Sequence, residues 1–474
     1  MAKRGRIAMN RKEIGGLSGV CLVGCVLLAV GGSACSGGES GGPLDSLGEM
    51  AGADGTGGGD VQGDAVLDTV EVAPDQGGED MAADLEPEDP CLLALAEGAA
   101  FELFPDGPDT QIHAAAAYDG EAVWVAFNAP SEGTSFFGVF VTRLACDGSV
   151  LVPPTEISNP EAGNQVDPAI AVSGSKVMVA WQADSGVFPN NMDIPYRVFG
   201  REGDDLLDVY GLVEPVITGT ADPGTIWMPR AVGMGDGSFA LVGSLARDGF
   251  NVFQTVLQRI DGDGLLTGGA LHLVPDNSAG QVYPAIARAS DSELILLWSH
   301  EPAEADAKAV YGLLGGDDQA LAAVNDANPD GPSTAGDVAA NPVTGAAFVT
   351  YTTQSGSTSD VWLRSIVEPA QAKRSFCTAG KSCHTGALAL RGEGGVIAWY
   401  RNISGLSNDM LAQPFVFAQG MFMVDDAFRQ VNELPVAPYA IGMTHVAGPY
   451  YFFTWSQGAN PKYRVVGKFM KLGK

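Results

Sequence analysis

The chain has 474 residues, a formal net charge of −31 and an apolar content of 46%, and only 18% of its residues are charged. Such a negative net charge excludes nucleic-acid binding, because a phosphate backbone needs a basic surface. The 63 glycines are typical of a folded protein with many short strands and turns, together with a flexible segment. We therefore expect a soluble, self-repelling surface.

The first 34 residues are typical of a secretory signal peptide. A basic region at residues 3–12 precedes an apolar stretch at residues 14–30, which glycines interrupt and a polar tract follows. A signal followed by a cysteine resembles the bacterial lipoprotein pattern, in which the cysteine becomes the lipidated first residue. Cys25 ends LVGC and Cys35 ends GSAC, and we favour Cys35 because the polar SGGESGG follows it. An ordinary secreted protein is the alternative interpretation.

Residues 35–90 are predicted to form a lipidated cysteine and a disordered acidic tether. Residues 36–90 contain fifteen Asp and Glu residues, no Lys or Arg and no aromatic residue. Such a segment cannot bury enough apolar area to offset the entropy lost on ordering. Ser36, which is not acidic, follows Cys35 and predicts an outer-membrane lipoprotein, periplasmic or surface-exposed, that touches the membrane only through its lipid.

From Cys91 to the C-terminus one hairpin pattern recurs seven times. Each copy starts with a small apolar strand, turns on Gly, Ser or Asp and continues into a bulkier second strand. The residues that close the copies lie 48 to 63 positions apart, which suits a four-stranded propeller blade. These closing residues are Phe127, Trp181, Ser244, Trp298, Tyr351, Trp399 and Trp455.

The pattern predicts an all-β fold for residues 91–474: a seven-bladed β-propeller with four-stranded antiparallel blades. Asp-Gly pairs, such as those at Gly148 and Gly264, supply the positive φ that tight hairpins require. The last copy lacks an outer strand, and residues 100–104 could supply it beside residues 461–471. That N-terminal strand would close the ring and hide two exposed edges. We expect this ring to be monomeric.

The runs P-x-I-A-x-x-x-G-x-x-x-x-V-x-W and D-G-x-L, with a Y/F-x-x-R strand between them, are similar to repeats of secreted bacterial β-propeller lipoproteins. The resemblance covers about residues 95–474. The third copy lacks the closing aromatic residue, and the fifth and sixth lack the Asp-Gly turn. The resemblance implies a scaffold, because the family has no common activity.

Four cysteines lie in the predicted ring, and in an oxidising compartment an even number favours disulfides. We predict a local bridge between Cys377 and Cys383 and a second bridge between Cys91 and Cys146. A zinc site is the alternative, but no CxxC is present. Neither a metal nor a cofactor is expected, and the partial calcium pattern RIDGDG at residues 259–264 is interpreted as a turn.

Propeller ligands usually bind where the innermost strands enter the channel. Aligning the seven copies places His113, Asp167, Met228, Tyr283, Ala335, Thr385 and Ala437 at that mouth. His113, Asp167 and Tyr283 are the predicted ligand-binding residues, and they suit a small polar ligand. The sequence shows neither the carboxylate pair of a glycosidase nor the repeats of a sialidase. The closing tryptophans are expected to pack between blades rather than to stack on sugars.

The leading functional prediction is therefore a cell-envelope-anchored, non-enzymatic scaffold whose propeller face binds a protein or a glycan. The alternatives are a carbohydrate-active hydrolase with an unrecognised site at the channel mouth and a structural subunit that assists envelope assembly. Catalytic residues cannot be assigned from this sequence.

Overall fold

A computed structural model describes residues 90–473 apart from residues 160–162, 185–191, 208, 214–224, 248–251, 273–278, 303–305, 316–320, 368–372, 378–380, 405–406, 425–426, 435–440 and 460–461. The signal peptide, both candidate lipidation sites and the tether up to residue 89 lie outside the described residues. Among the residues that are described, no helix has the length and apolarity needed to cross a membrane.

The described strands form seven antiparallel sheets, in agreement with the predicted seven-bladed propeller. Helix α1 (Pro90–Ala94) and strand β1 (Phe101–Glu102) precede the first complete blade. Blade 1 contains β2 (Ile112–Tyr118), β3 (Ala122–Pro130), β4 (Phe137–Ala145) and β5 (Val150–Glu156). Blade 2 contains β6 (Gln165–Ser173), β7 (Lys176–Asp184), β8 (Met192–Gly200) and β9 (Val209–Val213). Blade 3 contains β10 (Thr225–Gly233), β11 (Phe239–Arg247), β12 (Val252–Ile260) and β13 (Leu266–His272).

The second half of the ring repeats this order. Blade 4 contains β14 (Ala279–Arg288), β15 (Leu294–Pro302), β16 (Lys308–Leu314) and β17 (Leu321–Asp326). Blade 5 contains β18 (Thr334–Ala340), β19 (Ala347–Ser355), β20 (Thr358–Ser365) and β21 (Lys373–Ser375). Blade 6 contains β22 (Cys383–Arg391), β23 (Gly394–Ser404), β24 (Ser407–Ala418) and β25 (Met421–Val424), and β26 (Arg429–Gln430) also pairs with β24. Blade 7 contains β27 (Gly442–Ala447), β28 (Tyr450–Ala459) and β29 (Lys462–Lys471).

The N-terminal strand completes blade 7, as predicted. In β1, Phe101 pairs with Gly467 of β29 and Glu102 pairs with Val466, so the strand order of the closing sheet is β1-β29-β28-β27. The next residue, Leu103, donates its backbone N–H to the carbonyl of Val465 and is only 2% exposed. The first and the last described strands, β1 and β29, therefore close the ring through one shared sheet.

The hydrophobic core is divided among the boundaries between blades. The described residues include seven clusters of buried apolar side chains, and each cluster joins two neighbouring blades. The tryptophans of the hairpin pattern lie inside these clusters and are at most 1% exposed: Trp181, Trp298, Trp399 and Trp455. The prediction that they pack between blades is confirmed, and burial of a large apolar side chain contributes about 1.5–3 kcal/mol at each site.

The predicted hairpin turns and disulfides are also present. Gly148 and Gly264 have φ values of 85° and 81°, the left-handed conformation that glycine adopts without steric cost. Cys91 is bonded to Cys146 and Cys377 to Cys383. The RIDGDG segment is a turn in which the Asp261 carboxylate accepts backbone N–H groups of Asp263 and Leu265. No cluster of metal-ligating side chains occurs in the part of the chain that the structure describes.

Candidate ligand site at the channel mouth

A β-bulge stands near the start of the innermost strand in each of blades 1 to 4. In blade 1, Ile112 pairs with Asn128 and Ala115 with Ala126, so two residues of β2 lie opposite Phe127 alone. The same shift occurs in β6, β10 and β14. The first bulge residue of each strand has a left-handed backbone, with φ between 52° and 56°: His113, Asp167, Met228 and Tyr283.

This conformation costs a non-glycine residue about 1–2 kcal/mol and tends to occur at functional sites. Hydrogen bonds between blades help to hold it. The side chain of Asn128 accepts the backbone N–H of Asp167 at 3.0 Å, and Gln182 accepts that of Met228 at 3.5 Å. Asn128 and Gln182 each follow the closing aromatic residue of the preceding blade. Four aligned side chains are thus placed where the innermost strands begin.

Blade 5 has different residues at its bulge. The sequence alignment was wrong by one residue for this bulge and for the closing residue of blade 3. The residues opposite Thr350 are Gly336 and Asp337, so Gly336 rather than Ala335 is the equivalent of His113. In blade 3, Gly243 rather than Ser244 lies opposite the bulge. The sequences of two short apolar strands do not reveal a shift of one residue in their pairing, because small residues align with the second strand in either register.

In blade 5 an aspartate also stands where blades 2 to 4 have proline. Proline has no backbone N–H, whereas Asp337 has one, and it donates this N–H to the Thr350 hydroxyl at 2.7 Å. Its carboxylate accepts the backbone N–H groups of Val338 and Leu388, both at 2.9 Å, and so joins blade 5 to blade 6. Burial raises the pKa of Asp337, although these two N–H groups and the Arg230 guanidinium act in the opposite direction.

Of the predicted ligand residues, the structure brings His113 and Asp167 together. Nδ1 of His113 contacts Oδ1 of Asp167, and their side chains are 27% and 30% exposed. Burial acts to raise the pKa of Asp167, but the charge of His113, its hydrogen bond and the charge of Arg230 outweigh burial and hold that pKa below the ordinary value of an aspartate. This pair joins blades 1 and 2 at the mouth of the channel.

Tyr283 lies at the equivalent position of blade 4 and is 38% exposed. Burial of its ring, and next the carboxylate of Glu301, raise the pKa of its hydroxyl. This phenol is therefore protonated at neutral pH and can donate a hydrogen bond. For Thr385 of blade 6 the backbone shows a register shift between His384 and Gly386. Ala437, the predicted member from blade 7, lies outside the described residues.

Arg230 and Asp337 also lie at the channel mouth but were not among the residues predicted from the sequence. Arg230 follows the bulge of blade 3, is exposed and donates a hydrogen bond from Nη1 to the carbonyl of Pro229 at 2.8 Å. A signal was present in the repeats: PRAVG has an arginine where PAIAV and PAIAR have alanine, and GDVAA has an aspartate where those copies have alanine or proline. In an alignment of the seven copies, a charged residue at a position where the other copies have small residues could have identified both Arg230 and Asp337.

Two of the other histidines form local hydrogen bonds. The ring of His384 lies 3.2 Å from the hydroxyls of Ser359 and Ser382, and burial lowers its pKa. Nε2 of His445 lies 2.9 Å from the carbonyl of Gly448. These contacts indicate structural roles for both histidines.

No protein-family model matches this chain, and no curated protein matches it. A solved protein of unknown function from Dyadobacter fermentans is similar in structure, with 9% identity, 80% of this chain and 99% of the other chain covered, and a TM-score of 0.48. The α-L-arabinanase of Penicillium chrysogenum, solved with arabinobiose, has 13% identity, 79% and 98% coverage and a TM-score of 0.45. The α-L-arabinofuranosidase Arb93A of Fusarium graminearum has 13% identity, 79% and 98% coverage and a TM-score of 0.44. At these identities the likeness concerns the propeller fold alone.

Proposed function

We propose that this protein is a cell-envelope-anchored propeller that binds a glycan at the channel mouth without cleaving it. The observation that carries the proposal is the set of left-handed residues His113, Asp167, Met228 and Tyr283 on four consecutive blades. Backbone strain repeated at aligned positions supports a functional use of the side chains that it places. Together with Arg230 they offer charged, hydroxyl and apolar groups at the same end of the innermost strands, the mixture that small-ligand sites combine.

Binding is favoured over hydrolysis by the partners of the two carboxylates. Asp167 is paired with His113, and both oxygens of Asp337 accept backbone N–H groups. A general acid must carry a proton toward the substrate, whereas both oxygens of Asp337 face these N–H groups, although burial raises its pKa. One observation supports the alternative of a hydrolase: the pKa values of Asp167 and Asp337 are shifted in opposite directions, as in acid–base pairs.

A glycan array probed with the purified full chain tests the proposal. We expect Tyr283→Ala to weaken binding to the glycans that the wild-type protein retains. Leu265→Ala is the matched control, because Leu265 is also exposed, at 64%, but lies in the turn between β12 and β13 at the opposite end of the blade. Equal binding by both variants would contradict a site at the channel mouth. Release of new reducing ends from a bound glycan would favour the hydrolase.

The proposed anchor is a lipid on Cys35, which places the ring at the end of a tether of about 55 residues. At roughly 5–6 Å × √n a flexible chain of this length reaches on the order of 40 Å. Cys35→Ala should release the protein from membranes, and Cys25→Ala should leave it attached. Release by Cys25→Ala alone would assign the anchor to Cys25.

The tether can be tested separately. Deleting residues 37–88 should leave the melting temperature unchanged while reducing the access of the ring to a large ligand.

A further inference from the structure

We infer that the glycan is acidic, of the uronate type, and that the Arg230 guanidinium binds its carboxylate. This inference rests on the proposed function and names the class of ligand. It starts from the position of Arg230, which follows the bulge of β10 and pairs with Val242. The corresponding residues of five other blades are all small: Ala115, Ala169, Ala285, Val338 and Ala387.

Blade 3 therefore places a long cationic side chain where those blades leave room. A guanidinium has five N–H donors in a fixed fork. The hydrogen bond of Arg230 to Pro229 occupies one of them, and no carboxylate lies within 4 Å of Arg230 among the described residues. The remaining donors belong to an exposed side chain. Planar forks of this kind bind carboxylates through two parallel hydrogen bonds.

The alternative role for Arg230 is to balance the nearby acidic groups. Its charge does lower the pKa values of both Asp167 and Asp337. Each carboxylate nevertheless has closer partners: His113 for Asp167, and the backbone of Val338 and Leu388 for Asp337. Neither carboxylate therefore depends on Arg230 for its hydrogen bonds, and the guanidinium is left to interact with a ligand.

The two carboxylates restrict what that ligand can be. A phosphate monoester carries up to two negative charges, so the ionised Asp167 would repel it more strongly than it would repel the single charge of one uronate residue. A sugar acid brings one negative charge and several hydroxyls. An ionised carboxylate has about four acceptor positions, so the oxygens of Asp167 can still accept sugar hydroxyls. Tyr283 adds a half-buried aromatic ring and a protonated hydroxyl. A uronate residue, with one carboxylate and several hydroxyls, offers a partner to each of these kinds of group.

The test is calorimetric titration of the full chain with oligogalacturonate and oligoglucuronate, each compared with its methyl ester, which has the same shape without the charge. Wild-type protein should bind an acid more tightly than its ester. Arg230→Gln should weaken binding of the acid about 10- to 100-fold, the loss expected for charge-assisted hydrogen bonds, and leave binding of the ester unchanged. Arg230→Lys should recover part of the affinity, because it restores the charge without the fork.

Arg374→Gln is the matched control, since Arg374 is an exposed arginine on the outer strand β21, and it should bind like the wild type. Unchanged melting temperatures of all variants will show that they are folded. If the wild-type protein binds acid and ester equally, or if Arg230→Gln binds the acid as tightly as the wild type does, the ligand is not an acidic glycan. Either result would leave the proposed glycan site itself in place. If no sugar binds, neutral or acidic, and an acidic peptide binds instead, the proposed function itself is wrong.

Discussion

His113 and Asp167 join two neighbouring blades at the channel mouth, where Nδ1 of the imidazole contacts Oδ1 of the carboxylate and both residues have a left-handed backbone. The pair serves two purposes in our interpretation. It contributes to the boundary between blades 1 and 2, and it fixes the orientation of a carboxylate that a ligand can approach. The first purpose can be measured without knowing the ligand.

The pair predicts a specific dependence of stability on pH. Because the pKa of Asp167 is lowered in the folded protein, its contribution is present above the unfolded pKa and is lost as the pH falls through the folded pKa. Asp167→Asn should cost about 0.5–1 kcal/mol of unfolding free energy near pH 5. This difference should shrink as the pH falls below the ordinary pKa of an aspartate, as measured by urea unfolding. Asp204→Asn, in an exposed turn, is the control, and a constant difference for Asp167→Asn at all pH values would contradict the assignment.

Thr350 should be essential to the altered bulge of blade 5. Its hydroxyl accepts the backbone N–H of Asp337 at 2.7 Å, and Thr350 is fully buried. Thr350→Val keeps the shape of the side chain but leaves that N–H without its acceptor, which should cost about 1–3 kcal/mol. Thermal unfolding measures the loss. Thr358→Val, which removes an exposed hydroxyl bonded to Ser355, should have a smaller effect. An equal loss in both variants would argue against this role of Thr350.

Closure of the ring by the N-terminal strand predicts a large effect at Leu103. Leu103 is 2% exposed and packs in the core between blades 7 and 1. Leu103→Ala should therefore cost about 2–5 kcal/mol and lower the melting temperature. Leu93→Ala removes the same atoms from a side chain that is 75% exposed and should be nearly neutral. A stable Leu103→Ala variant would mean that β1 is dispensable for closure.

The two disulfides should contribute unequally to stability. The bond between Cys91 and Cys146 spans 55 residues, and the bond between Cys377 and Cys383 spans 6. A longer closed loop restricts the unfolded chain more, so the loop-entropy relation gives about 4 kcal/mol for the first and about 2 kcal/mol for the second. Paired Cys→Ser variants in urea unfolding measure both, and non-reducing peptide mapping checks the pairing. The reverse order of stabilities would contradict this explanation.

Much of this fold could be predicted from periodicity and from the turn residues. The recurrence of small strand, turn and bulky strand predicted seven blades, and the missing outer strand of the last copy predicted its pairing with the N-terminal residues. The cysteine pairs followed from their number and spacing. These features depend on properties that repeat many times along the chain, so one irregular copy, such as blade 3, did not hide them.

The channel mouth was predictable only in part. His113, Asp167 and Tyr283 could be placed by alignment, but the bulge that gives them a left-handed backbone has no signature in the residue types. The role of Asp337 depends on a register that differs by one residue from the apparent one. The pairing of His113 with Asp167 depends on the distance between two blades, which the sequence of neither blade determines.

The most direct test of a glycan site at the channel mouth is to locate the bound sugar. A diazirine derivative of a glycan selected on the array can be cross-linked to the full chain, and the modified peptides can be identified by mass spectrometry. We expect adducts on peptides that contain Met228 and Tyr283, with loss of labelling when excess free glycan competes. Labelling confined to the turns at the opposite end of the blades, around Leu151 and Leu265, would contradict a binding site at the channel mouth.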